Sequence, residues 1–136
     1  MIYIYISLVQ LLIQPGDELP IYRQIMRQIT EAIATGRLRS GDKLASHREL
    51  SEQLIVAPLT VKKAYDELEA QGYIETQRGR GTFVCAKIPQ LEAGEQRDRL
   101  RQAARNLLSQ AYLSGMGWED VVRELQAADR EMKEKV

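Results

Sequence analysis

Cations and glycines, rather than nucleophiles or metal ligands, carry the chemistry available to this sequence. Arg78-Gly79-Arg80-Gly81 sets two guanidinium groups among two glycines. Guanidinium groups make forked hydrogen bonds to phosphate, and glycine lets a backbone approach closely. Lys62 and Lys63 add a second pair of positive charges. Cys85 is the sole cysteine and His47 the sole histidine, which excludes a disulfide framework, a zinc cage of several thiolates and a His–His metal pair. Cys85 is expected to pack at the end of a strand. Glu49 with Glu52, and Asp66 with Glu69, have helical i,i+3 spacing but no nucleophile or ligand beside them, so they read as solvated faces. The residues imply no catalytic site, no metal and no cofactor, and the chain is not expected to be an enzyme.

The elements that must position these cations follow from periodicity and punctuation. Residues 2–13 are β-branched and aromatic, and read as a strand, with a short buried helix as the other reading. Such an apolar run needs cover from another element or another chain, unless the native start differs from Met1. Gln14-Pro15-Gly16-Asp17-Glu18 is a turn signal. Pro20 then stands in the first turn of a helix whose apolar stripe is Ile21, Tyr22, Ile25, Ile29 and Ile33, with a stop at Gly36. Ser40-Gly41-Asp42 reverses the chain. Ser46 and Glu49 fit a capping box at the start of a short helix that buries Leu50 and Leu54. Pro58 opens a third helix with Val61, Ala64, Tyr65 and Leu68 inward and Lys62, Lys63, Glu67 and Gln71 outward. Residues 73–77 and 82–85 are β-prone and flank the arginine-glycine run, which makes a hairpin.

Helix, short capped helix, turn, third helix and basic hairpin in this order imply a winged helix-turn-helix. One α-helix fits the major groove of B-DNA, and a basic hairpin can lie along neighbouring phosphates or the minor groove. Leu59, at the start of the third helix, can meet a thymine methyl, with packing in the core or the turn as the other reading. Overall charge is zero, with 19 basic and 19 acidic residues, but residues 20–90 hold eleven Lys/Arg against eight Asp/Glu. The basic surplus lies where the cations were found.

These motifs resemble the GntR family of bacterial transcription regulators. The resemblance runs through Pro20-Ile21-Tyr22, Gly36-Arg37-Leu38, Ser40-Gly41-Asp42-Lys43-Leu44, Ser46-x-Arg48-Glu49-Leu50, Thr60-Val61-x-x-Ala64-Tyr65-x-x-Leu68, Gly72-Tyr73-Ile74 and Gly79-Arg80-Gly81-Thr82-Phe83-Val84. It implies that Arg48 reaches DNA from the second helix, that Thr60, Lys62 and neighbouring Lys63 do so from the third, and that Arg78, Gly79 and Arg80 do so from the wing. Departures from the pattern include Ala45 for a common Pro, Ile55 for a usual Gly in the turn, and Ala57 for the usual Ser, Thr or Asn cap. The last forgoes ~1 kcal/mol of capping.

Only about 45 of the 136 residues follow the wing, which resembles the short YtrA-like subfamily whose two tail helices pair between subunits. The expected organisation is an apolar arm over 1–19, a DNA-binding domain over 20–88 and a helical dimerisation tail over 95–136. In the tail, Leu100, Ala103, Ala104, Leu107, Leu108 and Ala111 form one apolar stripe, and Trp118, Val121, Val122 and Leu125 form another. Two helices cannot bury both stripes alone, so a second copy is the natural cover. The expected function is a homodimeric, cytoplasmic repressor of double-stranded operator DNA with an inverted repeat. The other reading is a winged-helix docking module for proteins. A small-molecule effector, if one exists, is expected between subunits near Tyr112, Met116 and Trp118, because the tail is too short to enclose a pocket. Residues 2–13 are too few for a membrane helix, so no membrane partner is expected.

Overall fold

The computed structural model describes residues 11–87 and 93–134, and the chain divides after Pro89 into two compact units. The apolar strand expected over 2–13 lies outside the described residues as far as residue 10, and residues 11–13, which are described, form no strand. The first unit contains α1 (Ile21–Ala34), β1 (Lys43–Leu44), α2 (His47–Leu54), α3 (Pro58–Ala70), β2 (Ile74–Gln77) and β3 (Gly81–Val84). The second contains α4 (Ala93–Leu113) and α5 (Trp118–Glu134). The fold is a winged helix-turn-helix followed by two tail helices.

The core of the first unit is assembled from the apolar positions of all three helices and the sheet. Ile25, Ile29 and Ala32 of α1 meet Val61, Ala64, Tyr65 and Leu68 of α3, with Leu50 of α2 and Ile74 and Val84 of the sheet in the same cluster. Pro20 caps α1 instead of occupying its first turn, and its carbonyl accepts the amides of Arg23 and Gln24 at 3.0 Å each. Ser46 caps α2 by accepting the Glu49 amide at 3.1 Å. The capping box closes differently from the usual form: the Ser46 hydroxyl donates to the Glu49 carboxylate. Ala57 caps α3 without any side-chain bond, and Pro58 follows at the first helical position, where its missing N–H costs nothing.

Two glutamines of α1 hold the chain that precedes it. The Gln28 side-chain amide accepts from Leu12 N and donates to Leu12 O, both at 2.8 Å. Buried Gln24 accepts from Gln14 N at 2.8 Å and donates to Gln14 O and Leu19 O. Four helical residues rise about 6 Å, close to the ~6.6 Å spanned by two extended residues, so an i,i+4 glutamine pair matches alternate backbone groups. Leu11 and Ile13 then pack on the core.

The sheet has three strands in the order β1-β3-β2, all antiparallel. Strand β1 was not expected, because two residues carry no periodicity. It pairs Lys43 with Phe83 and Leu44 with Thr82, and so ties the α1–α2 connection to the wing. The Val84 amide donates to Asp42 O, and the Gly41 amide to Val84 O, at 2.9 Å each.

In the second unit, Asp120 accepts the Gly117 amide at 2.9 Å and pairs with Arg123. The Gly117 bond, then Arg123, holds the Asp120 carboxyl below its ordinary range. Among the described residues of this unit only Ala111 and Val121 are buried. No helix among the described residues is long and apolar enough to cross a membrane.

Candidate nucleic-acid interface

Helix α3 is held from behind so that its other side is presented outward. Its buried stripe of Val61, Ala64, Tyr65 and Leu68 packs against α1, α2 and β2. Tyr65 fixes the register: its hydroxyl, inside the core, donates to Ala45 O at 2.8 Å. A buried hydroxyl without a partner costs ~1–3 kcal/mol, so this bond sets the start of α2, where Arg48 sits, relative to α3. Burial, and the charge of Glu49, push the Tyr65 phenol well above its ordinary range.

Arg48 is exposed in the first turn of α2, and Leu59, Lys62 and Lys63 are exposed on α3, with Thr60 half-buried between them. Lys62 pairs with Asp66 one turn on, at 2.8 Å, both side chains being more than half exposed. Such a pair is worth only ~0.3–0.5 kcal/mol, so it yields readily to a phosphate. Lys63 reaches back across the unit, with its ammonium 4.2 Å from the centre of the Tyr22 ring on α1. Its charge is therefore tethered by a cation–π contact, unlike that of Lys62.

The hairpin tip consists of Arg78, Gly79 and Arg80, closed by an Arg80 N to Gln77 O bond of 2.9 Å. Gly79 has φ of 79°, where a turn of this kind needs a residue without Cβ strain. Both arginines are exposed and unpaired among the described residues. Gly81, with φ of 123°, is crossed by the Lys43 stem, since a Cβ there would lie 2.9 Å from Lys43 Cε. Lys43, which the resemblance includes without a role, is thereby brought beside the wing. Only the β1–β3 register puts it beside the wing, and the signal available was a cation next to the Ser40-Gly41-Asp42 turn.

The residues expected to join two copies lie in the second unit. Leu100 is 71% exposed, Trp118 62% and Leu125 50%. Ala104 is also exposed, Leu107, Leu108 and Val122 are half-buried, and Ala111 and Val121 are buried. Tyr112 and Met116 are exposed near the turn. Cys85 is half-buried after β3, and burial, with Glu75 and Glu69, raises its thiol above the ordinary range, which disfavours the reactive thiolate.

The sequence pattern of the family described as bacterial regulatory proteins, gntR family, matches residues 21–84. The chain is 38% identical over 104 residues to the HTH-type transcriptional repressor YtrA of Bacillus subtilis (strain 168), covering 76% of this chain and 80% of that protein. Its structure is similar to that of a transcriptional antiterminator from Listeria monocytogenes EGD-e, with a TM-score of 0.79 and 30% identity, over 93% of this chain and 95% of that one. It is also similar to AraR(DBD) in complex with operator ORX1, with a TM-score of 0.50 and 34% identity, over 57% of this chain and 96% of that one.

Proposed function

The chain belongs to the gntR family of bacterial regulatory proteins, and from that premise we propose that it is a homodimeric transcriptional repressor that binds double-stranded operator DNA with an inverted repeat. It acts in the cytoplasm by binding rather than by catalysis. The domain over residues 20–88 reads DNA, and the tail over 95–136 joins two copies.

The observation that carries this reading is the division of α3 into a buried stripe and an outward face, with exposed Arg48 before it and the Arg78–Arg80 tip beyond it. In this reading α3 enters the major groove, with Thr60 and Lys62 at the DNA surface and Lys63 released from Tyr22. Arg48 contacts a base edge or positions α2, and Arg78, Gly79 and Arg80 lie on phosphates. Exposed Leu100, Trp118 and Leu125 on α4 and α5 support the dimer, because an isolated chain leaves them in water.

Fluorescence anisotropy with a labelled duplex, recovered by selection from a randomised pool, tests the reading across a series of salt concentrations. Binding to the selected duplex over random duplex, weakening steeply with salt, is expected. Arg78→Ala or Arg80→Ala should lower the salt slope by about one unit each. Absence of salt-dependent duplex binding would point to the protein-docking use of the same fold and overturn the proposal.

A further inference from the structure

We infer that Ile55 and Leu59 form an apolar reading surface that selects thymine in the operator through its 5-methyl group. The inference rests on the DNA-binding function proposed above.

Ile55 ends α2 with φ of 55° and ψ of 50°, and is the only non-glycine residue with positive φ among those described. A β-branched side chain is disfavoured in this left-handed conformation, which glycine adopts without strain. The fold gains no burial in return, because Ile55 is 91% exposed. Leu59, in the first turn of α3, is 78% exposed. Ala57 and Pro58 between them are exposed as well, and Val56 is half-buried. From residue 55 to residue 59 the turn and the start of α3 therefore offer no polar side chain.

Exposed Lys62 follows this run on α3, and exposed Arg48 lies at the start of α2, with Glu49 and Glu52 between it and the run; both cations lie on the elements that frame the proposed DNA face. Exposed hydrocarbon on a face that also carries cations suits a surface that is anionic at its rims and carries an apolar group at its floor. The major groove of DNA is such a surface: phosphates line its edges, and the thymine methyl is the apolar group on its base edges. In the reading proposed above a second copy of the chain is met by the tail instead. The strain held at Ile55 is explained if its side chain acts on DNA.

The test uses the full chain and the duplex recovered from a randomised pool. Each thymine is replaced in turn by deoxyuridine, which keeps the pairing and removes only the methyl group. Binding should weaken roughly fourfold for each contacted methyl, the value expected for removing one buried methyl-sized group from the interface. At those positions Leu59→Ala or Ile55→Gly should bind thymine and uracil duplexes equally. Ile55→Gly should also unfold at a higher temperature than the parent, so its weaker binding cannot be a loss of fold. If the parent binds thymine and uracil duplexes equally at every position, the inference fails and the DNA-binding reading stands. The inference also fails if the variants stay as sensitive to uracil as the parent, since the methyl would then act through DNA shape. Recovery of no preferred duplex overturns the DNA-binding reading and this inference with it.

Discussion

Thirteen buried apolar residues build the core of the winged-helix unit, whereas α4 and α5, each longer than any helix of that unit, bury only Ala111 and Val121 among the described residues. Each helix of the first unit finds a neighbour for its apolar face within the same chain. Leu100 and Leu125 of the tail remain open to water instead. The contrast separates two uses of hydrophobic surface. In one unit it holds α3 in place within a single chain, and in the other much of it stays exposed, where the proposed second copy would cover it.

The largest expected effect addresses the tail. Leu100→Glu with Leu125→Glu should convert the proposed dimer to monomer in sedimentation while leaving the melting of the winged-helix unit unchanged. Operator affinity should then fall about 100-fold or more, because linking two half-site readers typically contributes 10²–10⁴. A variant that stays dimeric would remove the assigned role of these stripes.

Truncation of the core sharpens the same contrast. Leu68→Ala should destabilise the protein by ~2–5 kcal/mol in denaturant titration, the cost of a cavity at a fully buried leucine. The equivalent change at exposed Leu100 should cost the isolated chain no more than ~0.5 kcal/mol. Similar losses at the two sites would show that the tail has a core of its own.

The two units should also differ in how they respond to pH. The buried Tyr65 phenol ionises less readily folded than unfolded, so its contribution is complete below the ordinary tyrosine pKa of 10.0 and is lost as pH rises above it. Tyr65→Phe should cost ~1 kcal/mol at neutral pH, from the hydrogen bond to Ala45, and should flatten the alkaline loss in melting curves. In the tail the sign is reversed. Asp120 ionises more readily folded than unfolded, so its contribution is present above the ordinary value of 3.8 and is lost as pH falls through the depressed one. Asp120→Asn should make the helicity of α5, read by circular dichroism, less sensitive to acid. This is the smallest effect of the series, because the carboxylate is exposed.

By itself the sequence determined the helices, the winged order and the position of the basic tip. These rest on local rules: 3.6-residue spacing at Ile25 and Ile29, the Ser46 cap, Pro58 at a helix start and glycines in a hairpin tip. The resemblance to the family pattern, rather than these local rules, marked Ile55 as a departure in its turn, where the backbone has positive φ. Tertiary structure decided what depended on residues distant in sequence. Strand β1 exists only because β3 lies beside it, and Lys43 joins the wing for that reason alone. Gln24 is a polar break in an apolar stripe until Gln14 and Leu19 come within reach of its amide. Lys62 and Lys63 are neighbours of one type in the sequence, yet one pairs along its own helix and the other crosses to Tyr22. Local spacing fixes which way a side chain points, and only the packed neighbours determine what it meets there.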